Sequence, residues 1–159
     1  MSKITITLPD KTTKTYDAGV TPLGVAESIG PRLANDTVAA TINGIFTDAT
    51  VPIIEDAVLN LHTASSEEGH EVLLHSTAHV MAQAVKRLWP KSQVTIGPAI
   101  ENRFYYDFDI DGTFSDKDLD NIENKMREIA KENLSVVRRD LNRDEAIRMF
   151  NEMGEKYKV

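Results

Sequence analysis

A chain of 159 residues can hold one medium domain or two small ones, and its 18 Lys+Arg against 25 Asp+Glu leave a formal net charge of -7. That balance excludes a global field drawing the chain to nucleic acid, so any such contact has to be local. Cysteine is absent, which excludes disulfides and thiolate metal sites, and neither a signal or transit peptide at "MSKITITLPD" nor a run of roughly 18 to 20 apolar residues is visible, so a soluble cytoplasmic protein is expected.

"KITITL" alternates Ile4, Ile6 and Leu8 with polar residues, "PDKT" turns, and "TKTYD" returns, which predicts a β-hairpin. A short helix follows in "TPLGVAESIG", with Thr21 as N-cap, Pro22 at the first helical position and Gly30 as its stop. "TVAATINGIFTDATVPI" carries a second hairpin around Asn43-Gly44, and "AVLNLHTA" closes the unit as a strand. One helix laid across a small mixed sheet gives a β-grasp, ubiquitin-like arrangement, although the pattern also fits other small α+β folds. The first domain is therefore placed at 1–63. "ASSEEG" over 64–69 reads as a linker, and the second unit takes 70–159.

In that second unit a helix is expected from about Glu68 to Leu88, then strands at "QVTIGPAI" and "RFYYDFDI". A helix opened by the capping-box pattern at Ser115–Asp118 runs to about Glu132, a strand follows at "LSVVRRDL", and a last helix covers "RDEAIRMFNEMG". The fold class is α+β throughout. Lys86-Arg87 and Arg138-Arg139 read as solvated surface or as local phosphate contacts. Gly44 and Gly97 read as turn residues, and His62 and His70 as structural.

The long helix carries His75 and His79 four residues apart in "LLHSTAHVMAQAVKRLWP". Its apolar arc is expected at Leu73, Val80, Ala84 and Leu88, with the histidines opposite, flanked by Val72, Ala78 and Ala82, whose small side chains leave room for an approaching group. Three readings compete: a plain polar helix face, a metal site, and a pair that binds and orients a polar substrate or water. Metal is disfavoured because zinc needs three or four protein ligands and the Glu of H-E-x-x-H is missing, Ser76 following His75.

H-S-x-A-H, then L-W-P, then I-G-P, then F-Y-Y-D, with "GEKYKV" at the end, closely resembles the amino-terminal region of the bacterial threonyl-tRNA synthetases over the whole chain. The resemblance implies a TGS domain followed by an editing domain. It implies a parent ligase that uses ATP to attach threonine to tRNA(Thr) and that hydrolyses mischarged seryl-tRNA(Thr). Such correction has a physical reason, since one missing methyl group is worth only about 1–3 kcal/mol of discrimination. By position, His75, His79, Tyr106 and Lys158 match the editing-site residues of the family, and no metal is implied for them. Water positioning or oxyanion stabilisation would fall to Lys158, water or ribose-hydroxyl binding to His75, and substrate orientation to His79 and Tyr106.

Against that pattern, a Cys-x-x-x-His pair that faces the two histidines in the family is not in this sequence. The expectation is an amino-terminal portion of a longer enzyme, with the second domain incomplete, its last strand and helix short of partners, and the fragment inactive in editing by itself. ATP, zinc and a homodimer interface would belong to the parts of the parent outside this chain. The alternatives are a non-catalytic TGS-type RNA- or ligand-binding module, disfavoured by the H-S-x-A-H helix and the lack of a P-loop, and a metal-dependent deacylase of the alanine-editing type, which shares an H-x-x-x-H start.

Overall fold

The computed structural model describes residues 2–97, 99–100 and 103–159; Pro98 of the I-G-P motif and Glu101 and Asn102 after it lie outside the described residues. The chain divides into two compact units, Met1–Leu73 and Leu74–Val159.

The first unit is a five-stranded sheet in the order β2-β1-β5-β3-β4. β1 (Lys3–Thr7) and β2 (Thr13–Asp17) form the expected antiparallel hairpin. β3 (Thr37–Ile42) and β4 (Ile45–Thr47) form the second, joined through Asn43 and Gly44, both at positive φ as a tight Asn-Gly turn requires. β5 (Ala57–Thr63) enters between the hairpins, parallel to β1 and antiparallel to β3. α1 (Pro22–Ile29) starts where its sequence places it, because Thr21 Oγ1 accepts the Gly24 N–H and Pro22 needs no acceptor. The core is Ile4, Ile6, Ala40, Ala57 and Leu59 from the inward positions of β1, β3 and β5, with Val25 from the helix and Ile53 from the segment before β5, where it bridges to Val20. This is the β-grasp arrangement.

Two features depart from the expected pattern. Gly30 ends α1 as expected, but Pro31 at once nucleates a further, unexpected short helix, α2 (Pro31–Asp36), which hands the chain directly to β3. The stretch read as a linker is ordered: α3 (Glu67–Leu88) begins inside it, and Ser66 Oγ accepts the Gly69 N–H and donates to Thr63 O.

In the second unit the remainder of α3 packs against α4 (Asp116–Glu132) through Ala84 and Val85 facing Ile122 and Ile129, with Met81, Leu88, Trp89, Phe108, Phe114 and Met126 around them. Ser115 and Asp118 close the expected capping box at the start of α4. The expected arc is in the core at Ala84, Val80 and Leu88, with Met81 beside them, and departs from expectation at Leu73, which is exposed. Ala78, Ala82 and Val85 are buried as well, so the stripe extends toward the alanines. Weighting a face by side-chain size misses positions where small residues are buried. The room expected beside the histidines at Ala78 and Ala82 is thus filled.

The two long strands expected over 93–110 resolve into short pairs. β6 (Gln93–Val94) pairs with β9 (Phe108–Asp109), and β7 (Ala99–Ile100) pairs with β8 (Arg103–Phe104). The expected strand at 134–141 is absent; the segment is irregular, with Val136 at 92% and Val137 at 77% exposure. Its β-branched residues favour a strand only if a neighbouring strand completes the ladder, and none of the described strands pairs with it. α5 (Arg143–Glu152) follows, capped by Asn142.

Candidate functional site

His75 and His79 lie one helical turn apart on α3 and turn toward each other, with ring centroids 4.6 Å apart and Nε2 to Nε2 at 2.9 Å. That contact restricts protonation. One ring must donate from Nε2 and the other accept there, so the two neutral rings are opposite tautomers, or a single proton is shared between them; a doubly charged pair breaks the bond. Burial, then the charges of His75 and Lys158, hold the His79 imidazole below its ordinary value of 6.5. The lowered His79 favours its neutral imidazole, which can accept at one ring nitrogen and donate from the other to an incoming hydroxyl or water.

Lys158 reaches this neighbourhood from the end of the chain. Its Nζ donates to the Thr95 carbonyl at 2.7 Å, and its backbone N–H donates to Glu155 O at 2.9 Å. Tyr106 belongs to a different wall. Its ring stacks on Phe108, centroids 5.1 Å apart, and lies against Gly97, while burial, then the negative charge of Glu155, raise its phenol above the ordinary value. The structure thus joins His75 to His79 and sets Lys158 within electrostatic reach of His79. Tyr106 is linked to this group through Glu155.

Gly97 is a finding the turn reading missed. A Cβ at this position would lie 2.1 Å from Tyr106 Cδ2, so the glycine is there to admit the ring. Glu155 and Lys86 were also missed as members of the site region. Lys86 Nζ sits 2.7 Å from Glu155 Oε1 and donates to Ser92 O at 2.9 Å. The available signal was spacing: Lys86 follows His79 by seven residues, two helical turns, on the same face. Neither member of the Lys86-Arg87 pair is free surface, because Arg87 makes a two-pronged contact with Glu132. Arg138 pairs with Asp140 on the exposed surface. His62 is structural, buried with Nε2 on Thr41 Oγ1 at 2.7 Å and Nδ1 facing Glu68.

Among the described residues no group of three or more His, Cys, Asp or Glu gathers as a metal site would require. A groove of about 840 Å³ opens elsewhere in the second unit beside Leu88, Trp89, Ser92, Gln93, Asp109 and Lys156, and none of His75, His79, Tyr106 or Lys158 lines it.

Residues 4–63 match the TGS domain family. The chain is 52% identical over 97% of its length to the threonine–tRNA ligase of Saccharophagus degradans, covering 24% of that protein. It is 47% identical over its full length to that of Geobacter sp. strain M21, covering 25%, and 50% identical over 98% to that of Rhodospirillum rubrum, covering 24%. The chain matches the amino-terminal region of threonine–tRNA ligases. It spans about a quarter of the length of these curated relatives. The TGS match runs from Ile4 in β1 to Thr63 at the end of β5, so the histidine pair lies beyond it. Among the described residues no helix is long and apolar enough to cross a membrane.

Proposed function

We propose that this chain is the amino-terminal portion of a threonine–tRNA ligase, contributing tRNA contacts and part of the site that hydrolyses seryl-tRNA(Thr). The single observation that carries the editing reading is the hydrogen-bonded His75–His79 pair with Lys158 in electrostatic reach of His79. An ester carbonyl attacked by water needs the water or the terminal ribose hydroxyl positioned and the developing oxyanion met by a cation. The imidazoles suit the first task and the ammonium of Lys158 the second, with Tyr106 orienting the substrate. The synthetic step, with its ATP and zinc, and the dimer contact belong to the remainder of the parent, as does the second half of the editing constellation.

The test is hydrolysis of seryl-tRNA(Thr) by this chain and by the same chain extended by about 70 residues to a full domain. The extended form is expected to be active, the short form silent, and His75→Ala in the extended form to lose about 10²-fold or more. Because the His79 pKa is lowered, its neutral imidazole persists as pH falls through the usual imidazole range, so protonation of His79 should cost activity only at a pH below its ordinary 6.5. An active His75→Ala enzyme would remove the pair from the chemistry. Stoichiometric Zn²⁺ binding abolished by His75→Ala would turn the reading to a metal-dependent deacylase.

A further inference from the structure

We infer that Glu155, through its buried ion pair with Lys86, is a positioning residue that sets the place of Lys158 beside His79. The inference rests on the editing reading for its significance, but not for its test. Glu155 is 8% exposed, near the end of a stretch that is otherwise on the surface. Its Oε1 takes the Lys86 ammonium at 2.7 Å, and its backbone N–H donates to Phe150 O at 2.9 Å. Its Oε2 is buried with no hydrogen-bond partner among the described residues. A carboxylate placed so is held by its cation and has no alternative in solvent.

The backbone carries that placement onward. Glu155 O accepts the Lys158 N–H at 2.9 Å, closing a turn over 155–158, so Lys158 rides on Glu155 at a separation of less than about 7 Å between their Cα atoms. The other anchors of this stretch are Lys156 and Tyr157 on Asp109, the Lys156 N–H on Gln93 Oε1, and the Lys158 ammonium itself on the Thr95 carbonyl. These lie in solvent, where screening weakens them. The buried pair is therefore the anchor that decides. On α3, Lys86 shares the flank of His75 and His79, the three falling within about 40° at 100° per residue. One helix face thus presents both the paired imidazoles and the cation that docks the lysine-bearing turn.

The test reads the His79 imidazole by NMR titration of this chain, in which Lys158 and His75 are the charges acting on it. Lys158→Met is expected to raise the His79 midpoint toward its ordinary value. Glu155→Gln is expected to raise it too, and Glu155→Gln with Lys158→Met to move it no further than Lys158→Met alone, because the first acts through the second. The sign discriminates: loss of the glutamate charge by itself would lower the midpoint. Should Glu155→Gln fail to fold with Lys86 left unpaired, Lys86→Met/Glu155→Gln removes both charges together, and the same upward shift is expected. An unmoved or lowered midpoint in a folded Glu155 variant, with Lys158→Met raising it, overturns the inference and leaves the editing reading standing. An unmoved midpoint in Lys158→Met overturns the inference and removes Lys158 from the histidine pair, a result independent of whether the extended chain hydrolyses seryl-tRNA(Thr).

Discussion

Gly69→Ala should destabilise the first unit by roughly 2–4 kcal/mol, although alanine in a helix is ordinarily worth up to about 1 kcal/mol more than glycine. The added Cβ would lie 1.9 Å from the Thr63 carbonyl oxygen and 2.7 Å from its carbon, both backbone atoms that cannot swing aside. Relief requires the first turn of α3 to lift off the end of β5. That motion breaks the Ser66 hydroxyl contacts with Thr63 O and Gly69 N, a cap worth about 1 kcal/mol, and separates Glu68 from the buried His62. The clash therefore outweighs the propensity gain. In thermal unfolding followed by circular dichroism, the transition of the first unit should drop by about 10 °C or more, taking 4–8 °C per kcal/mol for a unit of this size. A midpoint at or above that of the wild type would mean that the helix start moves off Thr63 without cost.

Gly97→Ala should act on the site more than on stability. Its Cβ meets the Tyr106 ring at 2.1 to 2.5 Å on three atoms, and a half-buried ring can turn away from it. The stack on Phe108 is then lost, a contact worth about 0.5–1.5 kcal/mol. Under the editing reading, a displacement of an ångström in a substrate-orienting group costs about 10²-fold in rate. Seryl-tRNA(Thr) hydrolysis by the extended chain should fall by that order while its melting midpoint moves by only a few degrees. Unchanged hydrolysis would place Tyr106 outside the chemistry.

The β-grasp unit was largely legible because its signals are local. Thr21-Pro22 starts α1, Asn43-Gly44 makes the second hairpin, and alternation in "KITIT" marks the inward Ile4 and Ile6. Local signals also placed the Ser115 capping box, the bounds of α3 and α4 to within a residue or so, and those of α5 to within two. Where the outcome depends on a partner distant in sequence, the reading failed. Val136 and Val137 have strand propensity but no ladder among the described strands, and Val85 of α3, outside the expected arc, is buried with Ile122 and Ile129 of α4, more than thirty residues away. In the candidate site the histidine spacing was visible, and Lys158 entered by resemblance. Gly97 and the Lys86–Glu155 pair depend on what approaches them, which no local pattern encodes.

The parallel pairing of Ile6 with Ala57 joins the first strand of the β-grasp unit to its last. A nascent chain consequently holds β1 and β2 as a lone hairpin, marginal in water, until some fifty further residues have emerged. Folding of this unit is limited by closing that long loop rather than by local structure, so it completes late in the synthesis of its own sequence and then all at once. Until β5 arrives, Ile4, Ile6 and Val25 remain without their principal cover, and that interval is when the unit is most open to chaperones and to association with other chains.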